Sequence, residues 1–342
     1  MRRLWRLTSA VAAVAAGSAL LVMPGAAADT ALAPVVPEVG SSVSETAPLA
    51  RIVDRKQLAN GATETTVRMG PIVAQPHSGD GGGEHSHGTH TTVAGPWFPP
   101  CANCYVTSVK PDLTYADGSS ANYDTGVMLH HAVLFDRSKQ DVTCGDSDSF
   151  YELTGRRIFA SGNERTGGKL PDGYGVKLDA VPMTWGVVEL MNMKPEPQAV
   201  FVEATVTHVP ADTKGMEEVT PIWLDAANCT GDSQHSVPAG ESTTTWRWQS
   251  TISGTIMAAG GHLHDGGRSL ALSNVSTGQH MCTSEAGYGT DPSYMGHIES
   301  MTLCSGRLGT VRRGEVLQLD SVYQMDHAAD DVMTIMIAYV DE

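Results

Sequence analysis

The sequence predicts an all-β protein built from two tandem antiparallel, jelly-roll-like β-sandwich domains. Three observations predict it. Short runs rich in Val, Ile, Thr and aromatic residues recur from about residue 96 to the C-terminus, separated by Gly, Pro, Asn and Asp clusters. The chain of 342 residues carries 36 glycines and 18 prolines, as a turn-rich fold requires. No long segment repeats its apolar residues every 3.6 positions, so long helices are not expected. Roughly 245 ordered residues suffice for two packed two-layer units.

In chain order, residues 1–28 read as a secretory signal. Arg2, Arg3 and Arg6 precede the apolar, small-residue run Leu7–Met23, and Ala26-Ala27-Ala28 supplies an A-x-A cleavage site. Its removal takes three basic residues and no acid, so 22 − 3 = 19 basic against 38 acidic residues moves the formal charge from -16 to -19. So acidic a surface argues against nucleic acid or an anionic membrane as partner. No later run of about 18 apolar residues offers a bilayer span. The mature chain is expected to be exported and soluble.

Residues 29–95 read as a flexible leader, rich in Ala and Pro at first and in Gly and His later, with room for a strand such as Glu64–Val73. Its His77, His85, His87 and His90 lie among glycines, and a floppy linker is favoured over a metal site there. Ordered chain is expected from Pro96-Trp97-Phe98. Strand patterns then cover Val127–Phe135, Thr184–Leu190, Ala199–His208, Thr243–Ser250, Thr255–Ala259, Ser269–Ser273, Glu315–Tyr323 and Val332–Val340. The domains are placed at 96–210 and 211–342, divided near Pro210–Gly215. Of the six cysteines, Cys282 and Cys304 are expected to pair, while Cys101 and Cys104 bridge to Cys144 and Cys229 in an order left open.

The chemistry concentrates in histidines. Gly260-Gly261-His262-Leu263-His264-Asp265-Gly266-Gly267 places two imidazoles at i and i+2, on one face of an extended strand. By itself it is equally a metal pair or a solvated turn. His130-His131, in Met128–Phe135, is a second pair. Neighbours on a regular strand face opposite ways, so both can reach one metal only at a bulge or a strand end; the alternative is one core and one surface histidine. Met333 on the last strand is ordinarily core, yet a thioether beside two imidazoles forms a soft ligand set suited to reduced copper. Asp265 reads either as an acceptor for an imidazole N–H or as a solvated turn residue.

The order HH, then HxH, then a late Met resembles the copper type II ascorbate-dependent monooxygenases, the family of peptidylglycine alpha-hydroxylating monooxygenase and dopamine beta-monooxygenase. Arg157–Leu178, which runs through Leu170-Pro171-Asp172-Gly173-Tyr174-Gly175, and Ser236-Val237-Pro238-Ala239-Gly240-Glu241 resemble two further stretches of that family. The resemblance covers roughly residues 96–340. It implies an oxygen-binding copper on His262, His264 and Met333. It also implies an electron-transfer copper on His130 and His131, with ascorbate or another one-electron donor as reductant. It implies O2 and a small-molecule substrate as partners.

Two departures stand out. The first copper's third histidine has Met191 as its best counterpart, which leaves that site with a sulfur ligand, two-coordinate or absent. The positions that read a substrate carboxylate in the peptidylglycine enzymes hold Gly260 and Ile337, so a substrate other than a glycine-extended peptide is expected. The function implied is C–H hydroxylation by a secreted copper monooxygenase. The alternative is a secreted copper-binding protein, for sequestration or delivery, without turnover.

Overall fold

The computed structural model describes residues 49–76, 89–145, 155–229 and 233–342. The expected signal peptide and His77, His85 and His87 lie outside them. The described chain is all-β, with 21 strands in four sheets and a single 3-10 turn at Pro292–Tyr294. No helix among the described residues is long and apolar enough to cross a membrane.

The first sheet has the order β1-β2-β10-β4-β8-β11, with β7 on β4. These strands are β1 (Ala50–Gln57), β2 (Thr63–Ala74), β4 (Cys104–Thr114), β7 (Gly168–Lys169), β8 (Tyr174–Leu178), β10 (Gln198–Pro210) and β11 (Glu217–Glu218). The second sheet, in the order β3-β9-β5-β6, uses β3 (Thr89–Pro96), β5 (Val127–Asp136), β6 (Arg156–Ser161) and β9 (Thr184–Asn192). Val67, Ile72, Leu113, Leu129, Leu190 and Val202 lie in the core between them.

The third sheet, in the order β12-β21-β15-β19 with β13 on β21, uses β12 (Thr220–Asp225), β13 (Gln234–Val237), β15 (Gly254–Leu263), β19 (Leu303–Val311) and β21 (Ala329–Asp341). The fourth runs β14-β20-β16-β17-β18 through β14 (Gly240–Gln249), β16 (Gly267–Asn274), β17 (Gln279–Tyr288), β18 (Ile298–Met301) and β20 (Val316–Met325). Ile222, Ile256, Leu270, Leu319 and Met336 fill this second core.

A third apolar layer joins the second and third sheets. Val133, Ile158 and Ala160 meet Trp223, Met333, Ile335, Ile337 and Tyr339, and the Tyr339 hydroxyl donates to the Ile158 carbonyl at 3.1 Å. β21 is therefore covered on both faces, and Val332–Val340 is buried throughout. A strand so enclosed needs no polar alternation, which explains its nearly continuous apolar run. Burying Ile335 and Ile337 contributes about 1.5–3 kcal/mol each to this contact.

Two expectations need correction. The 29–95 segment is not leader throughout, because β1, β2 and most of β3 fall within it. β2 carries Val67, Met69 and Ile72 into the first core, apolar positions that outweigh the polar residues between them. Cys282–Cys304 pair as expected, but Cys101 pairs with Cys104, and Cys144 with Cys229. A left-handed Asn103 (φ 49°) turns the chain between the first two, bringing their Cα atoms to 6.2 Å.

Candidate metal centre

The second sheet supplies His130 and His131 through a break in β5. Leu129 pairs with Leu190 and His131 with Glu189, so His130 is an extra residue in the ladder. The bulge removes the alternation that would send neighbouring imidazoles to opposite faces. Both rings emerge on the face of Glu189, with centroids 4.0 Å apart.

The third sheet supplies His262 and His264 at the C-terminal end of β15. Gly260, Gly261 and Gly162 let other groups press against this strand. A Cβ on Gly162 would overlap the His262 ring, and the Leu303 side chain fills the space beside Gly260. Tyr323, fully buried on β20, accepts from the His264 amide at 3.1 Å and donates to the Met333 carbonyl. One phenol thus ties the His-x-His segment to the last strand.

The two pairs converge. Nε2 of His131 lies 3.2 Å from Nε2 of His264. The ring centroids of His131, His262 and His264 are 5.0, 5.3 and 5.6 Å apart, and His130 lies 5.0 Å from His264. His130, His131 and His264 each direct a nitrogen into one ligand-sized space. The four histidines assigned to two copper sites thus form one continuous cluster where the second and third sheets meet.

Two carboxylates that the sequence reading missed stand behind the rings. Glu189 meets Nδ1 of His131 at 3.1 Å and Nδ1 of His90 at 2.6 Å, while Nδ1 of His130 lies 3.3 Å away, off the hydrogen-bond line. Glu164 accepts from Nδ1 of His262 at 3.2 Å and from the Gly162 amide at 2.9 Å. Burial would raise the Glu164 carboxyl, but His262 and the hydrogen bonds outweigh it and hold it below the usual range. Glu189 is likewise held far below that range by its imidazole partners, against the effect of burial. Such carboxylates fix the tautomer of a ligating imidazole and make it more basic.

The residues fit a metal ion. Burial, aided by neighbouring imidazoles, pushes the His130 pKa down to about 3 and those of His131 and His264 below the ordinary value, so these rings are neutral at pH 7. With Nδ1 of His131 held by Glu189 and His264 donating to the Asp331 main chain, two Nε2 lone pairs face one another. Nε2 of His262 is buried with no hydrogen-bond partner. Acceptors that face each other or stand unpaired are costly, and a shared cation resolves both. A set of imidazoles with thioethers nearby suits copper.

The methionines occupy distinct places. Met191 is buried on β9, two residues from Glu189, paired with His90 and Met128, and lines the same cleft as His130. Across the ladder from it, His90, on a strand assigned to leader, brings another imidazole to 4.8 Å from His130, centroid to centroid. Met333 lies in the apolar layer, on the face of β21 that carries Ile335, the partner of His262. Asp265 does hold an imidazole, but it is that of His297, which stacks on Tyr123 at 3.7 Å.

A cleft of about 780 Å³ opens onto the cluster, lined by His90, His130, His262 and His264 and by Glu164, Asp265, Asp326, Asp330 and Asp331, with no Lys or Arg among its described lining residues. A second, apolar cavity reaches Glu164 and His262 from the other side, past Phe159, Ile335, Ile337 and Tyr339.

Residues 209–342 match the family described as Stress up-regulated Nod 19. The chain is 28% identical over 263 residues to Probable copper-dependent oxygenase M1 of Phoma sp., covering 71% of this chain and 65% of that protein. It is 27% identical over 252 residues to Probable copper-dependent oxygenase clz3 of Cochliobolus lunatus, covering 68% of this chain and 78% of that one. Among solved structures, a peptide-N(4)-(N-acetyl-beta-D-glucosaminyl) asparagine amidase superposes at a TM-score of 0.36 with 10% identity, over 81% of this chain and 97% of that one. The chain is similar in sequence to proteins named as copper-dependent oxygenases, over about two thirds of its length.

Proposed function

We propose that this protein is an exported copper-dependent oxygenase that hydroxylates a C–H bond of a small molecule at the four-histidine cluster. The observation that carries the reading is the approach of His131 and His264, from different sheets, to 3.2 Å with their Nε2 atoms facing. The two curated relatives support the class of activity. The separate domains, 96–210 and 211–342, and the two-copper, ascorbate-driven scheme of the type II monooxygenases are finer parts of the same proposal. The closeness of the four rings supports a reading in which any two ions would be near neighbours.

His130, His131, His262 and His264 would hold copper, with His90 and the Met191 thioether beside them in the cleft and Met333 on the adjoining last strand. Bound copper supplies one-electron redox chemistry toward O2. The protein positions the ligands: Glu189 and Glu164 lock their rings, and Gly162 lets His262 seat against the second sheet. The carboxylates lining the cleft repel an acidic substrate. Gly260, with Leu303 beside it, and Ile337 line the apolar cavity and offer no charge to a substrate carboxylate. Both features favour a neutral or apolar substrate.

Oxygen uptake by the purified chain with copper and ascorbate tests the proposal. Uptake that requires both, and that His264→Ala abolishes while the fold survives, is expected. Tight copper binding with no uptake above that of free copper would favour the copper-binding alternative.

A further inference from the structure

Away from the histidine cluster, the Cys101–Cys104 disulfide lies against a histidine that the proposed activity does not use. Cys104, the first residue of β4, is buried, while Cys101 in the preceding loop is partly exposed. Cys104 pairs with Pro210 and Val106 with His208, so Cys104 and His208 share one face of the ladder. The two sulfurs and a ring nitrogen of His208 all lie within 4.8 Å of one another. His208 is itself 8% exposed, and Nε2 of its ring meets the buried Thr65 hydroxyl at 3.0 Å. Burial, reinforced by the nearby Arg55 charge, keeps this imidazole below its ordinary pKa and therefore neutral. The Arg55 guanidinium also donates to the Pro100 carbonyl, next to Cys101.

We propose that Cys101, Cys104 and His208 form a redox-gated site for Cu(I), closed as the disulfide and opened by reduction. A thiol or phosphine reductant supplies two electrons, and two protons are taken up as the S–S bond breaks to give two thiols. Binding of Cu(I) then releases both protons, leaving two thiolates and one neutral imidazole around the ion. Two sulfurs and a nitrogen make a soft donor set, which suits Cu(I). The Thr65 hydroxyl holds one ring nitrogen, as the partners of ligating histidines do. Charge selects the monovalent ion. Cu(I) with two thiolates carries −1, which the neighbouring guanidinium complements, whereas a divalent ion would leave that positive charge unopposed. The positive charge also favours thiolate over thiol. The site is independent of the proposed oxygenase chemistry, since neither cysteine nor His208 lies in the histidine cluster.

The experiment titrates Cu(I) into the full chain against a colorimetric Cu(I) chelator, before and after phosphine reduction. Reduction is expected to add one tightly held equivalent per chain, and the double variant Cys101→Ser/Cys104→Ser is expected to lose that increment. The double variant separates this pair from the other two disulfides, which it retains. His208→Gln should bind the added equivalent at least tenfold more weakly. Copper-edge X-ray absorption on the reduced wild-type chain needs no variant, and should show thiolate sulfur neighbours that the oxidised chain lacks. No gain on reduction, an equal gain in the double variant, or an unchanged copper environment would overturn the proposal and leave the disulfide as a staple of the loop before β4.

Discussion

At the residue scale, the proposed function rests on how two carboxylates hold several imidazoles. Glu189 reaches His90 and His131 by hydrogen bonds and lies against His130, so one side chain orients two rings and packs against a third. Glu189→Gln keeps the size of the side chain but offers one acceptor in place of two. Copper affinity should fall by roughly 10–100-fold, the usual cost of losing such a partner, as measured by chelator competition. Unchanged affinity would show that the rings are oriented by packing alone. The histidines themselves were legible as HH and HxH, because adjacent and alternate spacing is a local property of the chain. Glu189 and Glu164 were not, since an isolated Glu in a strand or a turn carries no mark of the ring that folding brings to it. His90 was hidden by its glycine-rich neighbours, although the Thr91 and Val93 that follow it alternate inward and are buried.

At the scale of elements, two devices shape the site. The β5 bulge turns His130 and His131 to one face, and Tyr323 pins β15 to β21. The need for a bulge followed from the adjacent histidines, but its position depends on the pairing of Leu129 with Leu190, which is a long-range fact. Tyr323→Phe leaves the His264 amide without its buried acceptor and the Met333 carbonyl without its buried donor. Stability should drop by about 1–3 kcal/mol in denaturant unfolding, with little change in the m-value. Loss below 0.5 kcal/mol, the level of ordinary surface changes, would mean that other groups replace the hydroxyl. Strands with alternating or continuous apolar runs, such as β5, β10 and β21, were readable. β4, with Lys110 and Pro111 inside it, and the polar β17 were not, since sheet neighbours decide their state.

At the scale of the whole molecule, the all-β class follows from turn chemistry and period, whereas the meeting of the second and third sheets does not. That contact buries apolar residues at one end and gathers histidines at the other. It also makes the metal-free protein sensitive to acid. His130, His131 and His264 have folded-state pKa values below their ordinary ones, chiefly through burial, so the unfolded chain binds more protons below about pH 6.5. Stability should be intact above that pH, fall progressively beneath it, and continue to fall toward the value of about 3 for His130. Thermal melts of the metal-free chain between pH 7.5 and pH 5 read this directly, and a flat profile would place these rings in a wetter setting. Bound copper should suppress the loss, because protons and metal compete for the same nitrogens.

The most direct test of the account is a crystal structure of the copper-loaded chain. It should show a copper ion bonded to Nε2 of both His131 and His264, joining the second sheet to the third. Copper held by the histidines of one sheet alone, or bound away from this cluster, would contradict it.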